Sequence, residues 1–266
     1  MLLYDLGSVS WLDSQLVYHA LPRLGREALV LCRPASPYAS IGYHQDLLYE
    51  LDLSYCEAEG IPVFRREVGG GAVFLDRGQI FYQIVLRRGN PLVPLDRGRF
   101  FRKFLAPVAA TLEGLGLAAT LEPACDLHVG GRKISGNGAG ELEGFVVLVG
   151  NLLVEIDFGR MAGILRLPCE AARSRVRRAM EEKLTSLALE LDSVPAMDAL
   201  AGALARSFGE ALPQLEPAAP DSALDTVVRE LGPKFLAPGW LFEPGRAPAG
   251  RRVKIAEGTY VDADAA

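Results

Sequence analysis

Residues 65–74 read Arg-Arg-Glu-Val-Gly-Gly-Gly-Ala-Val-Phe, and the three consecutive glycines at the entrance to an apolar run constrain this chain more than any other feature. Such a segment exposes backbone N–H groups that no side chain shields, and it lets a ligand lie against the main chain. The two arginines just upstream are able to hold phosphate oxygens in bidentate fashion. An enzyme that activates a carboxyl group needs this combination, because a triphosphate is cradled while an acyl chain lies over a glycine floor. The glycines alone would equally suit a tight turn between solvated arginines; the arginine pair and the β run that follows favour the ligand site. Ala72–Leu75 and Ile80–Leu86 are apolar β-type runs flanking Asp76-Arg77-Gly78-Gln79, which predicts a hairpin.

A second segment, Asp126-Leu127-His128-Val129-Gly130-Gly131-Arg132-Lys133-Ile134-Ser135-Gly136-Asn137-Gly138, predicts another hairpin around Gly130-Gly131. Lys133 alternates with Ile134, so one of the two faces inward, and an inward lysine is costly unless an anion meets it. Beside a carboxylate and a phosphate, that charge would stabilise acyl-adenylate formation. An edge-strand lysine facing water is the other reading of this segment.

The remaining pattern predicts α+β architecture, a mostly antiparallel sheet flanked by helices, because hairpins alternate with grouped helices rather than in βαβ units. Ser10-x-x-Asp13 predicts a helix through about Leu24, and Asp52–Glu59 one that stops at Gly60. Helices are also expected over Phe100–Leu115, Ala171–Leu191 and Met197–Leu212, with a long strand over Phe145–Ile156. Residues 1–212 then form the catalytic domain, 213–223 a Pro/Ala-rich linker, and 224–266 a C-terminal segment.

Composition excludes several classes. A net charge of −5 gives no reason to expect nucleic acid. The N-terminus lacks a basic region and Asp5 and Asp13 interrupt it, so no signal peptide is expected; no apolar run is long enough to predict a membrane span. Cys32, Cys56, Cys125 and Cys169 are scattered without a C-x-x-C pair, which points to a reducing, cytoplasmic setting. The three histidines lack metal-ligand spacing, which disfavours a histidine-based metal site or triad.

Together these segments resemble the lipoate–protein ligase family, relatives of biotin ligases and octanoyltransferases. The resemblance rests on Tyr38–Gln45, the Arg65–Gly78 block, the Asp126–Gly136 block, Val149–Leu153 and Thr185-Ser186, in the family's order and over roughly residues 1–195. It implies a core like that of class II aminoacyl-tRNA synthetases and biotin ligases, with the acyl chain in a tunnel behind the glycines. It also implies that Arg66, Gly69, Gly70, Gly71, Ala72, Val73 and Phe74 bind nucleotide. Lys133 would contact the acyl carbonyl and α-phosphate, with Ser135 and Gly136 beside it and Asp126 near a magnesium–phosphate site. The implied substrates are lipoate or octanoate and Mg-ATP. The implied partner is a lipoyl carrier domain (an E2 subunit or glycine-cleavage H protein). The family's accessory domain is entered here only as far as Gly239-Trp240-Leu241-Phe242, so either it is a separate accessory-domain protein or this enzyme works without it.

The chain departs from the family pattern at Leu75 and Val149, where histidine is usual, and at Gln79, where asparagine is. An octanoyltransferase would instead carry the acyl group on a cysteine, Cys169 or Cys125, and need no ATP. Neither cysteine has the expected glycine after it, and the third glycine of the 69–71 run favours the ligase. A non-catalytic lipoyl-binding protein is a third reading, which Arg66, the glycines and Lys133 together oppose.

Overall fold

The computed structural model describes residues 1–121, 125–212, 214–246 and 250–264. Pro213, at the start of the expected linker, and 247–249 and 265–266 in the expected C-terminal segment lie outside the described residues.

The α+β expectation is met. An eight-stranded sheet runs in the order Glu216–Pro217, Leu2–Val9, Ala28–Pro34, Gln79–Arg87, Phe145–Leu153, Arg132–Leu142, Leu127–Val129, Ala119–Leu121. Only the first two pairings are parallel; the rest are antiparallel. The parallel pair Leu2–Val9 and Ala28–Pro34 is joined across one face by the helix Asp13–Arg23, where Ser10 Oγ accepts from the Asp13 N–H at 3.0 Å. Val63–Arg65, Tyr38–Ile41 and Val73–Leu75 make a separate three-stranded sheet, and Arg252–Ala256 pairs with Thr259–Asp262.

Burial follows from these layers. On one face, Phe101, Phe104 and Val108 of the helix Arg97–Gly114 pack with Leu204 and Phe208 of Met197–Ala211 against Leu31, Ile84 and Leu148. On the other, Tyr18 and Leu21 meet Phe64 of the small sheet and Leu231 and Phe235 of the helix Ser222–Leu236. A third cluster joins the small sheet to the helix Glu170–Lys183 and to Val253 and Ile255 of the C-terminal hairpin. Among the described residues, no helix is long and apolar enough to cross a membrane.

Two expectations change. The first predicted hairpin does not exist: Val73–Leu75 pairs with Tyr38–Ile41, whereas Gln79–Arg87 lies in the large sheet between Ala28–Pro34 and Phe145–Leu153. The Asp76–Gly78 turn carries the chain between sheets, with Asp76 Oδ1 accepting from the Gly78 N–H at 3.0 Å. The predicted helix over Ala171–Leu191 breaks at Leu184–Ser186, because the Thr185 N–H donates to the Lys133 carbonyl at 2.8 Å; a short turn of helix resumes at Leu187–Glu190. Leu2–Val9, to which the sequence assigned no element, is a strand. The hairpin around Gly130-Gly131 forms as expected, with positive φ at both turn residues (56° and 74°) that a type I′ turn requires.

Candidate active site

Both glycine-containing segments open onto one cavity of about 450 Å³ between the two sheets, the helix Glu170–Lys183 and the C-terminal hairpin. Of the expected site residues, Arg66, Gly69, Gly70, Gly71, Ala72, Val73, Phe74, Asp126, Lys133 and Gly136 line it. Ser135 does not: its hydroxyl is buried 2.6 Å from the Tyr82 hydroxyl and accepts from Asn137 Nδ2 at 3.2 Å.

The arginine pair serves the loop first. Arg65 is 1% exposed and donates to the carbonyls of Tyr43, Gln45, Leu241 and Glu243, which ties the small sheet to the C-terminal segment. It does not reach the cavity's described wall, so the expectation that both arginines grip phosphate fails for Arg65. Arg66 is also buried; it donates to Gly69 O at 3.1–3.2 Å, Gly71 O at 2.8 Å and Ser40 O and Oγ at 3.3 Å. Its cation therefore sits in the cavity wall while its donors hold the glycine run in shape. Gly70 adopts φ +113°, and Gly42 comes so close that a Cβ there would lie 2.2 Å from the Gly70 carbonyl oxygen.

Glu67 anchors the same loop from outside. Its carboxylate pairs with Arg23 at 3.0 Å and Lys234 at 2.6 Å, and its N–H donates to His19 Nε2 at 3.2 Å. His19 Nδ1 lies 2.7 Å from the Gln15 carbonyl, so the proton is on Nδ1 and the ring is neutral. Burial lowers the His19 pKa to about 4, despite the Glu67 carboxylate.

At the opposite end, Lys133 Nζ lies 3.1 Å from Asp126 Oδ2, and its side chain crosses Gly136, where a Cβ would stand 3.0 Å from Lys133 Cε. The inward lysine thus has its anion, and a side chain at position 136 would displace it. Asp126 Oδ2 also accepts from the Glu257 N–H at 2.8 Å, and Glu257 pairs with Lys254. Lys254 and Glu257 both line the cavity. Sequence reasoning missed them, as it missed Gln15 and Gln83, because nothing local connects residue 257 to residue 126; Asn151 fell within the Val149–Leu153 block but was given no role there. A relay joins the two segments: Gln79 Nε2 donates to Phe74 O at 3.2 Å, Asn151 Nδ2 to Gln79 Oε1 at 2.6 Å, and the Gly136 N–H to Asn151 Oδ1 at 2.9 Å.

Between these polar ends the wall is apolar, with Phe81, Val149 and Leu153 on the large sheet and Ile164, Met180 and Leu184 from the helical side. None of the described lining residues is a cysteine. Cys125 is buried with Sγ 3.6 Å from Glu257 Oε2, and burial, reinforced by Asp126, pushes its thiol up to about 11. Cys169 is exposed at the N-cap of Glu170–Lys183 and is not among the described lining residues. Among the described residues no group of three or more His, Cys, Asp or Glu could hold a metal by itself. Magnesium carried on a nucleotide needs only one or two carboxylates besides phosphate oxygens, and Asp126 with Glu257 beside it fits that demand.

An α+β fold with a glycine-floored, part-apolar cavity and a half-buried lysine on a buried carboxylate fits an enzyme that handles acyl groups. The family description "Lipoyl protein ligase A/B catalytic domain" matches residues 11–209, and the chain belongs to that family. It is 29% identical over 227 residues to the octanoyltransferase LipM of Kyrpidia tusciae, covering 77% of this chain and 82% of that protein. Its fold matches the bi-partite lipoate protein ligase of Thermoplasma acidophilum, solved in a study that included its E2 lipoyl domain. The TM-score is 0.80 at 25% identity, over 93% of this chain and 97% of that one. A lipoate-protein ligase A bound with ATP superimposes with TM-score 0.74 at 25% identity, over 90% and 97% of the two chains. Curated relatives therefore include both ligases and octanoyltransferases.

Proposed function

We propose that the protein is an ATP-dependent lipoate–protein ligase. The observation that carries this reading is a cavity whose charged end is built on Lys133 and Asp126 and whose described lining holds no thiol. The ATP-bound ligase of the same fold supports it. In the first step the lipoate (or octanoate) carboxylate attacks the α-phosphorus of ATP; the new O–P bond gives acyl-AMP, and pyrophosphate leaves. Lys133 sits where both the carboxylate and the developing phosphorane charge can meet its ammonium, and Asp126 keeps that ammonium in place. Backbone N–H groups of the Gly69–Val73 run, braced by Arg66, face the phosphates. Asp126 and Glu257 would hold magnesium, which supplies charge neutralisation on the phosphates. In the second step the unprotonated ε-amine of a carrier lysine attacks the acyl carbonyl; an amide forms, AMP leaves, and the amine proton passes to solvent. The carrier we propose is a lipoyl domain, the partner class studied with the Thermoplasma ligase.

Transfer through a cysteine thioester is the competing reading, favoured by the LipM relative. A thioester-forming thiol must ionise readily and face the substrate. Cys125 meets neither condition, and Cys169 does not meet the second. Release of pyrophosphate from ATP on adding lipoate, with no carrier present, tests the proposal; its absence would refute it.

A further inference from the structure

The activation step must hold a departing pyrophosphate, and the cations at the inner end of the cavity are already committed. Arg66 gives its donors to the carbonyls of Ser40, Gly69 and Gly71 and to the Ser40 hydroxyl, and Lys133 pairs with Asp126. Two more cations line the same cavity, Arg252 and Lys254, both in the first strand of the C-terminal hairpin. Alternation along that strand buries Val253 and Ile255 in the third core cluster. It leaves Arg252 and Lys254 exposed on the opposite face, with the exposed Tyr260 across from Lys254. Lys254 pairs with Glu257. The Arg252 guanidinium stands 5.1 Å from the Tyr260 ring centroid and forms no ion pair with a carboxylate among the described residues.

These groups form a line leading outward from the chemistry. Lys133 Nζ lies 3.1 Å from Asp126 Oδ2, the same oxygen accepts from the Glu257 N–H at 2.8 Å, and the Glu257 carboxylate holds the Lys254 ammonium. Arg252 follows two strand residues, or about 7 Å, beyond Lys254. The hairpin is held in this place. Val253 and Ile255 share a core cluster with Val176 and Met180 of the helix Glu170–Lys183. Arg251, beside Arg252, donates to the Glu50 carboxylate and to the Arg166 carbonyl, each at 2.9 Å.

We propose that Arg252 and Lys254 bind the β- and γ-phosphates of ATP and stabilise pyrophosphate as it leaves, an assignment that rests on the ligase reading above. With the α-phosphate at Lys133, the rest of the triphosphate runs along the line towards Lys254 and Arg252. As the acyl carboxylate oxygen bonds to the α-phosphorus, the bond from that phosphorus to the bridging oxygen breaks. Its electron pair departs with pyrophosphate, no proton moves, and the two cations meet the added charge. The planar Arg252 guanidinium offers a phosphate two parallel donors. Acyl-AMP carries neither the β- nor the γ-phosphate, so this pair of cations serves the first step and not the second.

The test compares full-length wild type, Arg252→Met, Arg252→Lys and Lys254→Met in the two half-reactions. One is pyrophosphate release from lipoate and ATP; the other is transfer from synthetic lipoyl-AMP to an apo lipoyl domain. Pyrophosphate release should fall about 10-fold in Arg252→Met and about 10–100-fold in Lys254→Met. Transfer from lipoyl-AMP should change by no more than about twofold in Arg252→Met, and Arg252→Lys should recover release to within about threefold of wild type. Calorimetry with inorganic pyrophosphate gives a second readout, with affinity weakened about 10-fold in Arg252→Met. Release that falls by less than about twofold in both Met variants, or equal losses in both half-reactions, would overturn the assignment and leave the ligase reading intact. If wild type releases no pyrophosphate, the ligase reading itself fails and this assignment with it.

Discussion

Gly42 lies against the turn at Gly70, so a Cβ at position 42 would stand 2.2 Å from the Gly70 carbonyl oxygen and 3.0 Å from its carbonyl carbon and nitrogen. Carbon and oxygen atoms not bonded to one another normally stay about 3.3 Å apart or more, so Gly42→Ala requires the loop to retreat by about 1 Å. Retreat is resisted at several points. Arg66 holds the carbonyls of Gly69 and Gly71, and the Tyr43 N–H donates to Val68 O at 3.0 Å. Overpacking of this kind costs about 1–3 kcal/mol, which in a chain of this size lowers Tm by about 2–10 °C. Because the displaced atoms floor the cavity, lipoate affinity should fall as well. Gly71→Ala is the control, since no atom lies within 4 Å of a Cβ there; its Tm should stay within about 2 °C of wild type. Thermal melts with and without lipoate make the measurement. Gly42→Ala that melts like wild type and retains its lipoate affinity would refute the close-packed loop.

Lys133→Ala should reduce acyl-adenylate formation about 10²–10³-fold with the fold intact by circular dichroism; a loss of only a few-fold would remove Lys133 from its role. His19 sets a pH dependence. Its pKa falls from 6.5 to about 4 on folding, so the unfolded chain takes up a proton first. Stability is therefore complete above about pH 6.5 and declines as pH drops towards 4, by roughly 3 kcal/mol in all. Urea midpoints at pH 7 and 4.5 should converge in His19→Phe relative to wild type; an equal loss in both would contradict this. Iodoacetamide at pH 8 should label Cys169 and spare Cys125, whose thiol burial pushes up to about 11; mass mapping that finds Cys125 labelled first would contradict the site's geometry.

The sequence made legible what local chemistry dictates. Two adjacent glycines force the turn at Gly130–Gly131, and alternation turns Lys133 towards Asp126. What stayed hidden depends on partners far along the chain. The run at Ala72–Leu75 has the composition of a hairpin arm, but Tyr38–Ile41 competes for its edge and wins. The helical pattern through Ala171–Leu191 is real on both sides of Leu184, and only the distant Lys133 carbonyl reveals why it breaks there. Arg65 and Arg66 look alike in sequence; burial beneath Leu241 and Glu243 takes Arg65 out of the cavity. Glu257, Lys254 and Gln83 carry no motif, and only the packing of the C-terminal hairpin over the large sheet brings them to one cavity.

Intact mass of both proteins, after mixing this enzyme with an apo lipoyl domain, tests ATP-dependent activation most directly. One sample receives lipoate with ATP and magnesium, one lipoate alone, and one an octanoyl-loaded carrier protein without ATP. The account predicts that the domain gains a lipoyl group only with ATP, and that the enzyme carries no covalent acyl group in any sample, including Cys125→Ser and Cys169→Ser. An octanoyl adduct on the enzyme that forms without ATP and disappears in Cys169→Ser would contradict it and assign the chain to thioester transfer.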